Sequence, residues 1–220
     1  GERDSTWNTW YENGNKRFLA TYSDGKLNGK YTRWYQGGII KEQDGDYTNN
    51  KKHNRWVFWA KNGQKSEEIN YNTGIQNGPH IKWFGDSSDQ HKKFHKNFKN
   101  GEKDGAWHYW YTTGVDSLKS SYLEGKKDGH WVWWRSNGLK DKEGFYKKEK
   151  KHGVWTVWND SSGTAYHKLH EETFANDIID GNVTKWYKEG DIDRQGVMRG
   201  KEREGEWTYW EKGGKRWLKF

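Results

Sequence analysis

The sequence contains no cysteine, so no disulfide, thiolate-held metal or cysteine nucleophile is available to it, and the redox compartment stays open. No apolar run approaches the ~18 residues of a membrane-crossing helix. There is no signal peptide, and the chain opens on Gly1 rather than Met, so the expectation is that an N-terminal segment has been removed. Proline and methionine occur once each. Leu, Ile, Val and Phe together make up only about 14% of the 220 residues, which beside a net charge of +8 ordinarily marks a disordered chain.

Aromatic residues overrule that reading. The 17 Trp and 13 Tyr fall at fixed offsets, and each ring can bury a large area. The stretch from Leu123 to Asn137, LEGKKDGHWVWWRSN, is the repeating unit. Superposing Trp134 on the other tryptophans returns nine copies, with the second Trp of each pair at Trp10, Trp34, Trp59, Trp83, Trp110, Trp134, Trp158, Trp186 and Trp210. Their spacings are 24, 25, 24, 27, 24, 24, 28 and 24, the signature of a repeat array. The expected organisation is one array over 1–220, with repeats near 1–24, 25–49, 50–73, 74–100, 101–124, 125–148, 149–176, 177–200 and 201–220.

Each copy reads as two strands. In the first, Trp7 to Tyr11 is a short aromatic strand, Glu12-Asn13-Gly14-Asn15 carries a type I′ hairpin signal, and Lys16 to Tyr22 returns. Ser23-Asp24-Gly25 then opens a turn running to Gly29. Helix signals are poor, since glycine arrives about every dozen residues. The expected fold is all-β: an elongated, single-layer antiparallel meander of about nine stacked hairpins, roughly 80–90 Å long by strand spacing. Centring the hairpin on Asn13-Gly14 sets Trp7 opposite Ala20, and the same arithmetic sets Trp131 opposite Gly144 and Val183 opposite Gly196. A large ring then faces a small residue and covers its backbone. Folding the other turn symmetrically sets Tyr22 opposite Tyr31 and Tyr122 opposite Trp131, so the first Trp and the Tyr share a face. The second Trp lies three residues on, which turns it to the other face. That uninterrupted column is expected to be the half-exposed spine of the sheet.

Length variation is confined to the segment between the second Trp and the following Tyr position. The longest cases, Gly85 to Phe94 and Asn159 to Thr173, each carry Asp-Ser-Ser, with His91 in the first, His95 just after it, and His167 and His170 in the second. Repeat proteins often bind on the edge that carries such insertions. Candidate contact residues are therefore the nine second-Trp residues together with His91, Lys92, Lys93, His95, Tyr166 and His167. Neither chain end reads as capped, and open strand edges offer end-to-end self-association.

The unit G-K-K-D-G-x-W-x-x-W-Y-x-N-G, closest at Gly125 to Trp131 and next at Gly101 to Trp107, resembles the MORN-variant repeat of the YwqK-type antitoxin-component family. The resemblance spans essentially the whole chain. It departs at Ser5 and Asn54 in place of a glycine, at His80 and Val183 in place of the first Trp, and around the two insertions. It implies a sheet of stacked hairpins used for protein or membrane-lipid contact, with no catalytic residues, and a bacterial cytoplasmic, periplasmic or extracellular location.

Catalytic chemistry finds little to stand on. His91 and His95 are about 13 Å apart on a regular strand, too far to share an ion, and His167 and His170 point opposite ways. No metal site, cofactor or enzymatic activity is expected. The carboxylates lie among lysines and read as a solvated face. The basic turns at Lys26, Lys51, Lys52, Lys126, Lys127, Lys150, Lys151 and Arg203 are interrupted by acidic residues, which fits solubility better than a nucleic-acid track. The expected function is a non-catalytic scaffold holding a protein partner through the exposed aromatic face or the insertion-bearing edge. A peripheral module for anionic lipid or glycan is the alternative, and a spacer, filament unit or designed repeat protein is a third.

Overall fold

A computed structural model of the chain describes residues 4–85, 91–160 and 165–219. The Asp86-Ser87-Ser88 run and Ser161-Ser162 of the two insertions lie outside the described residues. Regular structure among the described residues is all strand, paired antiparallel throughout, and none of it is a helix long and apolar enough to cross a membrane. The chain divides into two compact units, Gly1–Gly114 and Val115–Phe220.

The first unit comprises β1 (Ser5–Trp10), β2 (Lys16–Ser23), β3 (Lys26–Trp34), β4 (Lys41–Thr48), β5 (Lys51–Trp59), β6 (Lys65–Asn72), β7 (Ile75–Trp83), β8 (Lys92–Lys99), β9 (Glu102–Lys103) and β10 (Gly105–Trp110). Each strand pairs with the next, and β8 takes both β9 and β10 because Asp104 interrupts what would be one strand. The second unit comprises β11 (Asp116–Leu123), β12 (Lys126–Lys127), β13 (Gly129–Trp134), β14 (Lys140–Lys147), β15 (Lys150–Trp158), β16 (Lys168–Ala175), β17 (Ile178–Trp186), β18 (Ile192–Arg199), β19 (Glu202–Trp210) and β20 (Arg216–Lys219). It is the same single-layer meander, with β11 taking both β12 and β13.

The type I′ turn expected at Asn13-Gly14 does not form there. At Glu12-Asn13-Gly14 only Gly14 is left-handed, at φ 82°, and its N–H bonds Tyr11 O at 2.9 Å. This is a type I turn closed by a left-handed glycine, a three-residue loop. The type I′ turns sit at the opposite edge: Asp24-Gly25, Asn49-Asn50, Asn100-Gly101 and Lys148-Glu149 have both central residues left-handed. Trp7 still faces Ala20, Trp131 faces Gly144 and Val183 faces Gly196. The longer loop is compensated by a one-residue bulge between Thr9 and Trp10, so the body of the hairpin keeps the inferred register.

The expected pairings across the other turn do not form. Tyr22 faces Leu27 and Tyr122 faces Lys127. The turn is tight, and a bulge at Asn28 to Lys30 opposes these three residues to the single Thr21, moving Tyr31 onto Ala20. The shift is two residues, so the Tyr and first-Trp columns still share a face.

That face holds the core. Apart from Trp7 on the edge strand, which is 42% exposed, its first-Trp residues are buried: Trp56 is 0% exposed, Trp131 4%, and Trp107, Trp155 and Trp207 5% each. Edge-on tyrosines knit the indoles together, with centroids 4.9 Å apart for Tyr47–Trp56, 5.3 Å for both Tyr122–Trp131 and Trp131–Tyr146, and 5.0 Å for Tyr146–Trp155. Such pairs add about 0.5–1.5 kcal/mol each beyond their buried area. The ring that covers a glycine belongs to the strand after it: Trp56 lies on Gly45, Trp155 on Gly144 and Trp207 on Gly196. Each indole N–H reaches a carbonyl ten residues earlier, Trp56 to Asp46 O at 2.9 Å and Trp155 to Phe145 O at 3.0 Å. The basic turns also fold onto this face. Lys52 Nζ stands 4.3 Å from the Trp56 ring and Lys151 Nζ 4.6 Å from that of Trp155, their alkyl stems supplying cover that a second layer would otherwise give. Burial lowers the Lys52 and Lys96 pKa values accordingly.

Candidate functional site: the tryptophan–lysine face

The second Trp of each pair lies on the opposite face, and a lysine follows it across the strand pair. In the first unit Trp10 faces Lys16, Trp34 faces Lys41, Trp59 faces Lys65 and Trp83 faces Lys92. In the second unit Trp134 faces Lys140 and Trp158 faces Lys168, whereas Trp186 faces Ile192 and Trp210 faces Arg216. Four of these lysines also lean forward over the next indole. The Nζ-to-centroid distance is 5.8 Å for Lys16–Trp34 and for Lys41–Trp59, 5.4 Å for Lys140–Trp158 and 6.0 Å for Lys168–Trp186. Lys119 stands 5.2 Å over Trp134. Within each unit the result is a row of indoles with ammonium groups between them; Trp10, at a strand edge, is 56% exposed and the other second-Trp residues are half-buried.

The row is anchored from below. Tyr11 OH donates to Trp34 O at 2.7 Å, Tyr35 OH to Trp59 O at 2.8 Å and Tyr187 OH to Trp210 O at 2.7 Å. Arg135 replaces the tyrosine in its copy and reaches Trp158 O at 2.9 Å. Beside the row runs a line of carboxylates: Lys41 pairs with Asp44 at 3.5 Å, Lys140 with Glu143 at 2.9 Å and Lys168 with Glu171 at 2.5 Å. Burial pushes Asp44 up, but the Thr32 hydroxyl, Lys30 and Lys41 hold it below the usual carboxylate range. The paired Arg55 guanidinium holds Glu68 low in the same way.

The insertion-edge candidates are placed less uniformly. His91 Nδ1 lies 3.0 Å from Thr112 O, and Lys93 stands 5.9 Å over Phe84. Lys92 is the exposed partner of Trp83. His95 is half-buried opposite Ile81, and burial, then Lys92, lowers its pKa. Tyr166 stacks on Trp158 at 6.4 Å with planes 11° apart, and donates to Lys140 O at 3.0 Å. His167 places its ring nitrogens 2.6 Å from Ala165 O and 3.2 Å from Tyr187 O. Tyr166 therefore joins the indole row, while His91 and His167 brace loops. Among the described residues no three His, Asp or Glu side chains gather as a metal site.

No protein-family model matches the chain, and no curated protein is found similar to it. The arrangement itself therefore carries the functional reading. Sequence reasoning found the indoles and Lys92, but not the cross-strand pairing that sets Lys16, Lys41, Lys65 and Lys140 against them. Their signal was present: Lys16, Lys65 and Lys140 each stand two residues after a loop glycine, at Gly14, Gly63 and Gly138.

Proposed function

We propose that this chain is a non-catalytic repeat scaffold that holds an acidic segment of a protein partner along the tryptophan–lysine face. The observation that carries the reading is the alternating row of half-buried indoles and lysines on one side of a single-layer sheet. Indoles are the side chains most enriched at energetic centres of interfaces, and a regular line of ammonium groups between them favours carboxylates. The formal charge of +8 acts in the same direction. The resemblance to MORN-variant repeats supports a contact role of this kind, including an antitoxin-like one.

A photo-crosslinking residue placed at Trp59 or Trp158 tests this in extract from the source cell. The expected result is one crosslinked protein that is lost on Lys41→Glu with Lys140→Glu and weakened by salt. Crosslinks that survive charge reversal, or that require residues 86–93 instead, would move the site to the insertion edge. Flotation with anionic vesicles in the absence of any crosslinked protein would give the face to lipid.

A further inference from the structure

The first face of the second unit has one gap in its indole row. Trp131, Trp155 and Trp207 are present, but the equivalent position between the last two is Val183. Its neighbours in the row are Glu172 on one side and Gly196 on the other. Where Gly144 and Gly196 are each roofed by the indole of the following strand, Glu172 has the short Val183 side chain opposite it. A cavity of about 220 Å³ opens there.

The lining is specific. Val183, Ile179 and Met198 give an apolar floor, and the Trp207 ring supplies one wall. The rim carries Lys185, Arg194 and Arg203 against the single carboxylate of Glu172. Lys185 is already engaged by Glu172 at 3.5 Å, and Arg194 by Asp193 at 3.6 Å. Arg203 has no ion pair among the described residues and lies 4.9 Å over the Trp207 ring. An occupant must therefore present a flat ring to the floor and an anion to the rim.

We propose that this cavity binds a small aromatic acid, its ring seated where the repeat elsewhere places an indole and its carboxylate on Arg203. The site lies on the face opposite the tryptophan–lysine row, so it is independent of the proposed partner surface. Neutral indole lacks the anion, and acetate lacks the ring.

Calorimetric titration of the full chain with indoleacetate, indole and acetate separates these contributions. Indoleacetate should bind, indole should bind about tenfold more weakly, and acetate should give no saturable heat. Val183→Trp combined with Glu172→Gly restores the indole and its small neighbour, and should abolish binding while the chain still unfolds in one cooperative transition. Arg203→Met keeps a stem over Trp207 but no charge, and should bring indoleacetate down to the level of indole. The proposal is overturned if indoleacetate fails to bind, if the double variant binds it within twofold of the parent, or if Arg203→Met leaves its affinity unchanged.

Discussion

The indole nitrogen of Trp155 donates to Phe145 O at 3.0 Å while its ring rests on the bare backbone of Gly144. A β-carbon built on Gly144 would fall 2.2 Å from that ring, a distance no packing adjustment of an indole clamped by its own hydrogen bond can absorb cheaply. Gly144→Ala should therefore cost about 1–3 kcal/mol by overpacking. Gly37→Ala, where nothing lies within 4 Å, should change stability by less than about 0.5 kcal/mol. Urea midpoints of the two variants decide the comparison, and equal losses would remove the indole–glycine contact as a determinant of the fold.

Lys140 couples two repeats, since it faces Trp134, leans over Trp158 and bonds Glu143 at 2.9 Å. Lys140→Met keeps the stem and removes the charge. The expected loss is only about 0.5–1 kcal/mol in thermal unfolding, because the pair is partly exposed. Partner capture should fall far more than stability does, which separates a binding role from a structural one.

Alkaline conditions should undo the first face. Burial holds Tyr31, Tyr47, Tyr71, Tyr122 and Tyr146 above the ordinary tyrosine value. A raised acid contributes stability that is complete below its unfolded pKa of about 10 and is lost as pH rises through the folded one. Lys52 and Lys96 act with the opposite sign, since their lowered values make the fold gain stability as pH climbs toward about 10.4. Urea midpoints should thus hold or rise up to about pH 10 and fall beyond it. Tyr47→Phe should shift the fall to higher pH at little cost in neutral solution.

Acid acts through Glu67, the carboxylate bonded to the one histidine in the first-Trp row. His80 Nε2 bonds Glu67 at 2.7 Å while Gln76 holds Nδ1 at 2.9 Å, and the His80 bond, against burial, keeps Glu67 below the usual range. A lowered carboxylate contributes stability present above its unfolded pKa of about 4.3 and lost as pH falls through the folded value. Glu67→Gln should be less stable than the parent by about 1 kcal/mol at neutral pH. Below about pH 3 the two should converge. A gap that persists in acid would assign the effect to shape rather than charge.

Much of this was readable from residue spacing. The 24-residue beat of the second Trp located every hairpin, and the odd offset between the two Trp columns separated the faces. Trp7 landed on Ala20 because two departures from the simple hairpin offset each other, a longer loop at Glu12-Asn13-Gly14 and a bulge at Trp10. Tyr22 was misplaced because the bulge at Asn28 to Lys30 has no signature apart from Gly29, which resembles a turn glycine. Lys148-Glu149 in a left-handed pair runs against residue preference altogether, being imposed by the strands on either side. The lysine cover on the first face, at Lys52 and Lys151, was illegible for another reason, since a surface lysine reaching over a ring has the same sequence as one reaching into water.

Within each unit, packing and the ten-residue indole bonds connect successive strands rather than distant ones. A chain so built should yield to tension piecemeal, each hairpin detaching while those behind it keep their grip. Every such rupture would free one 24-residue length, about 80 Å of slack at ~3.4 Å per residue. The same indole that seals a hairpin thus sets the stroke of a molecular spring.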